Sequence, residues 1–139
     1  MKKVVMILML AAVAACKKDD VAEPQVLLGT KIEAAYEKDV LFQEGVNVKI
    51  TKIEDSRCPK NVVCVWAGMI KLFITISENN VSKDAVVEAL VDGSKPAKTT
   101  VELNGKTYEI EVLEVLPYPQ TSQEISLKDY KVSLTVKKQ

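Results

Sequence analysis

Strict alternation of apolar and polar side chains is the feature that most limits the fold of this chain. Because successive side chains of a strand point to opposite faces, this pattern predicts strands with one buried and one solvated face. The clearest alternating segments are 46–51, 70–77, 108–112 and 130–137. Weaker strand patterns cover 26–36, 40–42, 85–91 and 99–103. The polar positions argue against a parallel α/β sheet, whose strands are apolar on both faces.

Turn-forming residues separate these segments. Asn104-Gly105 is the strongest hairpin signal, and it predicts a type I′ turn. Further turns are predicted at 44–45, 78–80, 92–94 and 117–119. Residues 85–90 also fit one helical turn capped by Asp84, but their valines favour a strand.

These elements predict an all-β fold. Roughly seven to nine short strands, with a turn about every ten residues, are typical of an antiparallel β-sandwich or barrel. The alternation changes phase at Ile53 and again at 113–115. Each change predicts a β-bulge or a strand corner.

The composition excludes several classes of function. The chain has no histidine, the commonest general base and metal ligand. It also lacks a nucleophile elbow, and Glu109 and Glu111 fit a solvated sheet face better than an acid–base pair. Its 19 basic and 19 acidic residues balance, with no basic patch for nucleic acid. We therefore expect no enzyme, cofactor, metal site or nucleic-acid partner.

The first twenty residues have the order of a secretory signal. Lys2 and Lys3 precede an apolar stretch, 4–15, and charged residues end the apolar run directly after Cys16. The run is shorter than the roughly 20 residues of a transmembrane helix. The sequence Val-Ala-Ala-Cys at 13–16 resembles a bacterial lipobox, which implies removal of residues 1–15 and lipidation of Cys16. An ordinary cleaved signal is the alternative.

The residues after Cys16 add an expectation about location. Lys17, Lys18, Asp19 and Asp20 resemble the surface-export signal of Bacteroidota-type lipoproteins. The resemblance implies a lipid anchor in the outer membrane with the domain facing the cell surface, and a periplasmic orientation is the alternative. Residues 16–24 then form the lipidated cysteine and a tether, and residues 25–139 form a single β-domain. Loss of Lys2 and Lys3 leaves 17 basic against 19 acidic residues, a net charge of −2.

Two cysteines remain after Cys16. In an exported protein the pair Cys58 and Cys64 predicts a disulfide. Five residues separate them, too many for a C-x-x-C redox motif, and a zinc site would need about four ligands. We expect the bridge to hold an irregular loop in a fixed shape and to stabilise the fold by about 2 kcal/mol in the chain-entropy model.

The most distinctive segment is 55–68, which contains the only arginine and the only tryptophan. Trp66 is expected to cover the disulfide or to fill the sandwich. Arg57 is expected to pair with Asp55 or Glu54, or to lie over Trp66. Gly68 is expected to permit a bulge or a close backbone approach.

This segment also carries a resemblance. Its D-S-R-C-P, spacer and C-x-W-x-G resemble a motif of small bacterial lipoproteins of the Bacteroidota type. The similarity extends to Gly29, to 108–119 and to Asp129-Tyr130, and so covers nearly all of the domain. Because that group has no established activity, the resemblance implies a fold and topology rather than a function.

The loop at residues 57–63 is the candidate binding site. A disulfide-braced loop can present a rigid surface to a partner, and loops carry binding more often than strands do; a mainly structural role is the alternative. The candidate contacts are Arg57, Pro59, Lys60, Asn61 and Trp66. We expect a non-catalytic binding or interaction module with an unknown protein or glycan partner. A low aromatic content of 5% weakens the glycan version, for which Tyr118 is the best exposed candidate. The alternative function is inhibition of an exported protease.

Overall fold

The computed structural model describes residues 25–91, 95–121 and 123–139. The predicted signal, Cys16, the export residues 17–20 and the turn at 92–94 lie outside these ranges. The described residues form eight strands and two short 3-10 helices, so the all-β prediction is confirmed. Neither 3-10 helix in the described ranges has the length and hydrophobicity of a membrane-spanning segment.

The strands follow one another along the chain in two groups. The first five are β1 (Ile32–Ala35), β2 (Asp39–Leu41), β3 (Val46–Asp55), β4 (Met69–Glu78) and β5 (Val81–Leu90). The last three are β6 (Lys98–Leu103), β7 (Lys106–Leu116) and β8 (Lys131–Lys138). The 3-10 helices are Gln43–Gly45 and Leu127–Asp129.

The strands form two four-stranded antiparallel sheets, in the orders β1-β8-β7-β6 and β2-β3-β4-β5. The two sheets enclose one hydrophobic core, to which both contribute their inward-facing side chains. The sheets do not close on each other by strand pairing. Of the two predicted architectures, the fold is therefore the sandwich and not the barrel.

The alternating segments form the strands whose side chains fill the core. In β4 the apolar set Ile70, Leu72, Ile74 and Ile76 is buried, and in β8 so is the set Val132, Leu134 and Val136. Burying each such side chain contributes about 1.5–3 kcal/mol. Residues 85–90 are strand, as their valines predicted, and β5 begins already at Val81. The pattern at 26–36 yields only β1, with Val26 in an isolated bridge to Phe42.

Two β-bulges account for the changes of phase. The pairing of β3 with β4 shifts register between Ile50 and Lys52, and that of β7 with β8 shifts between Val112 and Glu114. Each bulge adds one residue on the solvent side of its strand. Buried positions in β3 therefore change from even to odd numbers, which turns Asp55 inward. Val115 of β7 turns inward in the same way.

The connections fall at two ends of the sandwich. The turn at Asn104-Gly105 has φ values of 52° and 72°, as a type I′ turn requires, and Asn104 Nδ2 donates to the carbonyl of Glu78 at 3.0 Å. Val26 lies at this same end, where its carbonyl accepts from Gln43 N at 2.7 Å. We call it the N-terminal end. The opposite end, here called the loop end, carries the connections 56–68 and 117–130 and lies one strand length away, about 30 Å for the ten residues of β3.

Candidate binding loop

A buried ion pair anchors the start of the connection 56–68. Asp55 ends β3, and Arg57 Nε and Nη2 donate to its two carboxylate oxygens at 2.8 and 2.6 Å. The two side chains are only 8% and 6% exposed. This bidentate geometry is the strongest form of an arginine–carboxylate ion pair. Of the predicted partners of Arg57, Asp55 is the one observed.

The same arginine joins the two sheets. Its Nη1 donates to the carbonyl of Val115 at 2.8 Å and its Nη2 to that of Pro117 at 2.9 Å, both at the loop end of β7. The Tyr130 hydroxyl, directly before β8, donates to Asp55 Oδ2 at 3.0 Å. These bonds satisfy polar groups that would be costly to bury alone. Arg57 is therefore a structural residue.

The network shifts the pKa values of Asp55 and Tyr130 in opposite directions. Burial raises the pKa of Asp55, but the hydrogen bonds and the charge of Arg57 outweigh it, so that the pKa lies below its ordinary value. Burial, followed by the nearby charge of Asp55, raises the pKa of Tyr130 to about 12. The folded network therefore holds an ionised carboxylate and a neutral phenol.

The two arms of the loop, 56–58 and 67–69, continue the backbone pairing beyond the ends of β3 and β4. Ser56 N donates to Met69 O and Cys58 N to Ala67 O, both at 2.9 Å. Between them Gly68 has a φ of +84°, and a Cβ there would overlap the carbonyl oxygen of Ser56. The predicted close backbone approach at Gly68 is confirmed. The position needs glycine because of its positive φ and because a Cβ would overlap Ser56.

The rest of the loop is held by a disulfide and by hydrogen bonds to the adjacent connection 117–130. Cys58 and Cys64 are bonded, as predicted, with their Cα atoms 6.0 Å apart. Lys60 N donates to Pro119 O at 3.1 Å. Asn61 Nδ2 donates to Thr121 Oγ1 at 2.5 Å, and Thr121 N donates to Asn61 Oδ1 at 3.0 Å. The loop is therefore held at its base, its bridge and its side.

The outer part of this fastened loop is apolar and faces solvent. Val63 and Val65 are fully exposed, Trp66 is 57% exposed and Val62 is 43% exposed. We call these four residues the apolar tip. Exposed apolar residues scattered singly are ordinary, whereas a contiguous group marks an interaction site. The tip contributes little to the core of its own domain.

The prediction that Trp66 fills the sandwich is wrong. Trp66 follows the bridged Cys64 in a connection of thirteen residues, 56–68, that extends past the end of the sheets. The inward positions at this end are already filled by Ile53, Ile70, Val115 and Tyr130 together with Arg57. No core position therefore remains for the indole.

The predicted contact residues divide into three groups by exposure. Lys60, Asn61 and Trp66 are exposed, Pro59 is half-buried, and Arg57 is buried. Arg57 is not part of the exposed surface of the loop, because its guanidinium is used inside the domain. Arg57 also does not lie over Trp66.

Its guanidinium lies over the Tyr118 ring instead, at 4.7 Å from Cζ to the centroid, and Lys60 Nζ lies 5.1 Å from the same ring. Tyr118 is half-buried. These contacts leave the ring poorly placed to serve as an open sugar platform.

The predicted loop 57–63 contains Val62 and Val63, but sequence reasoning singled out neither of them, nor Val65, as a contact. The signal that marks them is a run of consecutive apolar residues between the turn at Pro59-Lys60-Asn61 and Gly68. Such a run breaks the period of two, so it does not fit a half-buried strand. Apolar residues with no strand or helix to bury them are candidates for contact with a partner.

Two acidic residues of β7, Glu109 and Glu111, form ion pairs on the sheet surface. Glu109 accepts from Lys98 at 3.1 Å, and Glu111 accepts from Lys137 at 3.5 Å. Both glutamates are half-buried. Among the described residues no group of three or more His, Cys, Asp or Glu side chains is arranged to hold a metal ion. The chemistry that the apolar tip offers is apolar contact.

Replacing Arg57 is expected to destabilise the fold. Arg57→Met leaves Asp55 charged and two carbonyls without donors, which costs about 3–5 kcal/mol. Arg57→Lys keeps the charge but loses the planar guanidinium. Its unfolding free energy should lie between those of the wild type and of Arg57→Met. The measurement is the free energy of unfolding in urea, with exposed Lys60→Met as the control within about 0.5 kcal/mol of wild type. Equal, small effects at the two positions would contradict the structural role.

Tyr130 is expected to make stability fall at alkaline pH. Its pKa rises from 10.0 to about 12 in the folded state, so its contribution is complete below pH 10 and is lost as pH rises from 10 to about 12. Tyr130→Phe removes this dependence. The check is the difference in unfolding free energy between the two proteins at pH 8 and at pH 11, because lysine titration is common to both. A difference that does not change with pH would refute the linkage.

Comparison with known proteins returned no match to a protein-family model, to a curated protein or to a solved structure.

Proposed function

We propose that this protein is a non-catalytic binding module of the cell envelope and that it holds its partner with the apolar tip. The observation that carries the proposal is that Val63 and Val65 are fully exposed on a loop that is held at its base, by its disulfide and along one side. Burying apolar surface against a partner contributes roughly 25 cal/mol per Å². Because the loop is already ordered, little conformational entropy is lost on binding.

The chemistry of the tip favours a protein partner with an apolar pocket or groove. Tryptophan is among the residues that most often dominate protein interfaces, and the valines beside Trp66 supply a compact aliphatic surface. A glycan partner has less support, because the loop offers one exposed aromatic ring and the Tyr118 ring is engaged by Arg57 and Lys60. Lys60 and Asn61 form the polar margin of the surface.

Anchoring to the outer membrane belongs to the same proposal. The signal at 1–15, lipidation at Cys16 and surface export through residues 17–20 rest on the sequence, as does the resemblance of D-S-R-C-P and C-x-W-x-G to Bacteroidota-type lipoproteins. The fold adds a geometric argument. Residues 16–24 span at most about 30 Å, and the chain enters at the N-terminal end, about 30 Å from the loop end. A domain anchored in this way has its tether and its apolar tip at opposite ends.

Inhibition of an exported protease is a second candidate. It is favoured by the position of Val62 and Val63, which are exposed within a loop closed by the Cys58–Cys64 bridge. A rigid exposed segment of this kind can occupy a protease cleft without being released after cleavage. Tight, stoichiometric inhibition of one enzyme in a protease panel would support this version. Ordinary cleavage of the loop, or no effect on any enzyme, would remove it.

Crosslinking on intact cells tests the apolar tip. The photoreactive residue p-benzoylphenylalanine replaces Val63 in the full-length protein, or replaces exposed Val81 at the N-terminal end as the matched control. We expect a discrete adduct with another protein from position 63 only. Val65→Ser with Trp66→Ser should abolish this adduct while changing the unfolding free energy by less than about 0.5 kcal/mol. Equal adducts from both positions, or none from position 63, would refute the proposal.

Protease treatment of intact cells tests the proposed location. Loss of the protein, with a periplasmic marker intact, is the expected result for surface display. Cys16→Ala should release the protein from the membrane fraction, since a stable anchor needs the acyl chains. Replacing Lys18, Asp19 and Asp20 by alanine should retain the anchor but protect the domain from protease. Protection of the unaltered protein would place it on the periplasmic face.

A further inference from the structure

A cavity opens at the loop end between the last residues of β5 and those of β7. Its volume is about 430 Å³, within the range of roughly 300–1,000 Å³ typical of small-molecule sites. Its floor is aliphatic and buried, formed by Ile70, Val112 and Val115. None of the four residues of the apolar tip lines it. The cavity is therefore distinct from the apolar tip, and Lys60 lies at the margin of both.

The polar groups of the cavity are mostly cationic. Lys60 and Lys95 stand in its lining, against one carboxylate, that of Glu114. Within the described part of the chain Lys60 forms no ion pair. Arg57 also lines the cavity, but Asp55 neutralises its charge. The lining therefore has a net charge of about +1, the complement of a monoanion.

The buried guanidinium supplies a further observation. Arginine has five N–H donors, and Arg57 uses one on Nε, two on Nη2 and one on Nη1. The second N–H of Nη1 has no acceptor among the described residues. The side chain is only 6% exposed, and a buried donor without a partner is costly. An oxygen of a bound molecule would satisfy it.

We propose that this cavity binds a small aliphatic carboxylate. The aliphatic part lies on the floor formed by Ile70, Val112 and Val115, and the carboxylate faces Lys60, Lys95 and the free Nη1–H of Arg57. A single net positive charge suits one carboxylate better than a dianion such as phosphate. The inference goes beyond the proposed protein-binding function and does not depend on it.

Hexanoate is the probe for the test. The mature chain, residues 16–139 with Cys16→Ser, is labelled on its methyl groups and titrated by NMR with hexanoate, hexan-1-ol or hexylamine. We expect hexanoate to shift the methyl resonances of Ile70, Val112 and Leu116 to saturation. Hexan-1-ol should bind at least about tenfold more weakly, because a charge-assisted bond is lost, and hexylamine should not bind. Equal affinity for acid and alcohol, or no saturable shift, would overturn the proposal.

Variants separate this site from the apolar tip. Lys60→Gln should weaken hexanoate binding about tenfold, whereas Lys83→Gln, an exposed change at the far end of β5, should leave it unchanged. Ala97→Leu places a larger side chain in the lining and should abolish binding. Val65→Ser with Trp66→Ser should bind hexanoate normally even though crosslinking from the tip is lost. Normal binding by Lys60→Gln, or loss of binding in Lys83→Gln, would contradict the assigned position of the carboxylate.

Discussion

The loop end depends on the buried pair of Asp55 and Arg57. The pair lies where β3 ends and the long connection begins, and its bonds to the carbonyls of Val115 and Pro117 hold that point against the other sheet. Tyr130 closes the network from the start of β8. Three separate parts of the chain thus meet at one charged group, which could not stay buried without all of them. The Asp55–Arg57 pair therefore positions both the apolar tip and the cavity.

Those two features use the same support in different ways. The apolar tip begins beyond Cys58, so Arg57 fixes where the loop leaves the sandwich without itself meeting a partner. The cavity uses Arg57 directly, because the guanidinium forms part of its lining. A single rigid base therefore carries one surface suited to a protein and one concave site suited to a small molecule. The domain core contributes only the floor of the cavity, through Ile70, Val112 and Val115.

Much of the fold could be predicted because it follows from side-chain direction. The alternation in 70–77 and 130–137, the hairpin at Asn104-Gly105 and the phase changes at Ile53 and 113–115 are local patterns with local causes. The fates of Arg57 and Trp66 could not be predicted in this way. Composition favours a buried tryptophan and an exposed arginine, but the position of a thirteen-residue connection relative to the sheet ends decides otherwise. The cavity is also invisible in the sequence, because residues far apart in the chain line it.

The bulges at Thr51 and Leu113 give the two strands a tolerance that regular strands lack. Each strand carries one residue more than its ladder needs, and the surplus side chain is exposed. Removing that residue keeps Ile53 and Val115 facing inward, since alternation then runs unbroken from Ile50 and from Val112. What changes is the local bend of the strand, and Leu113 lies in the lining of the cavity. Deletion of Leu113 can therefore reshape the mouth of the cavity while the inward-facing residues of the core beneath it stay the same.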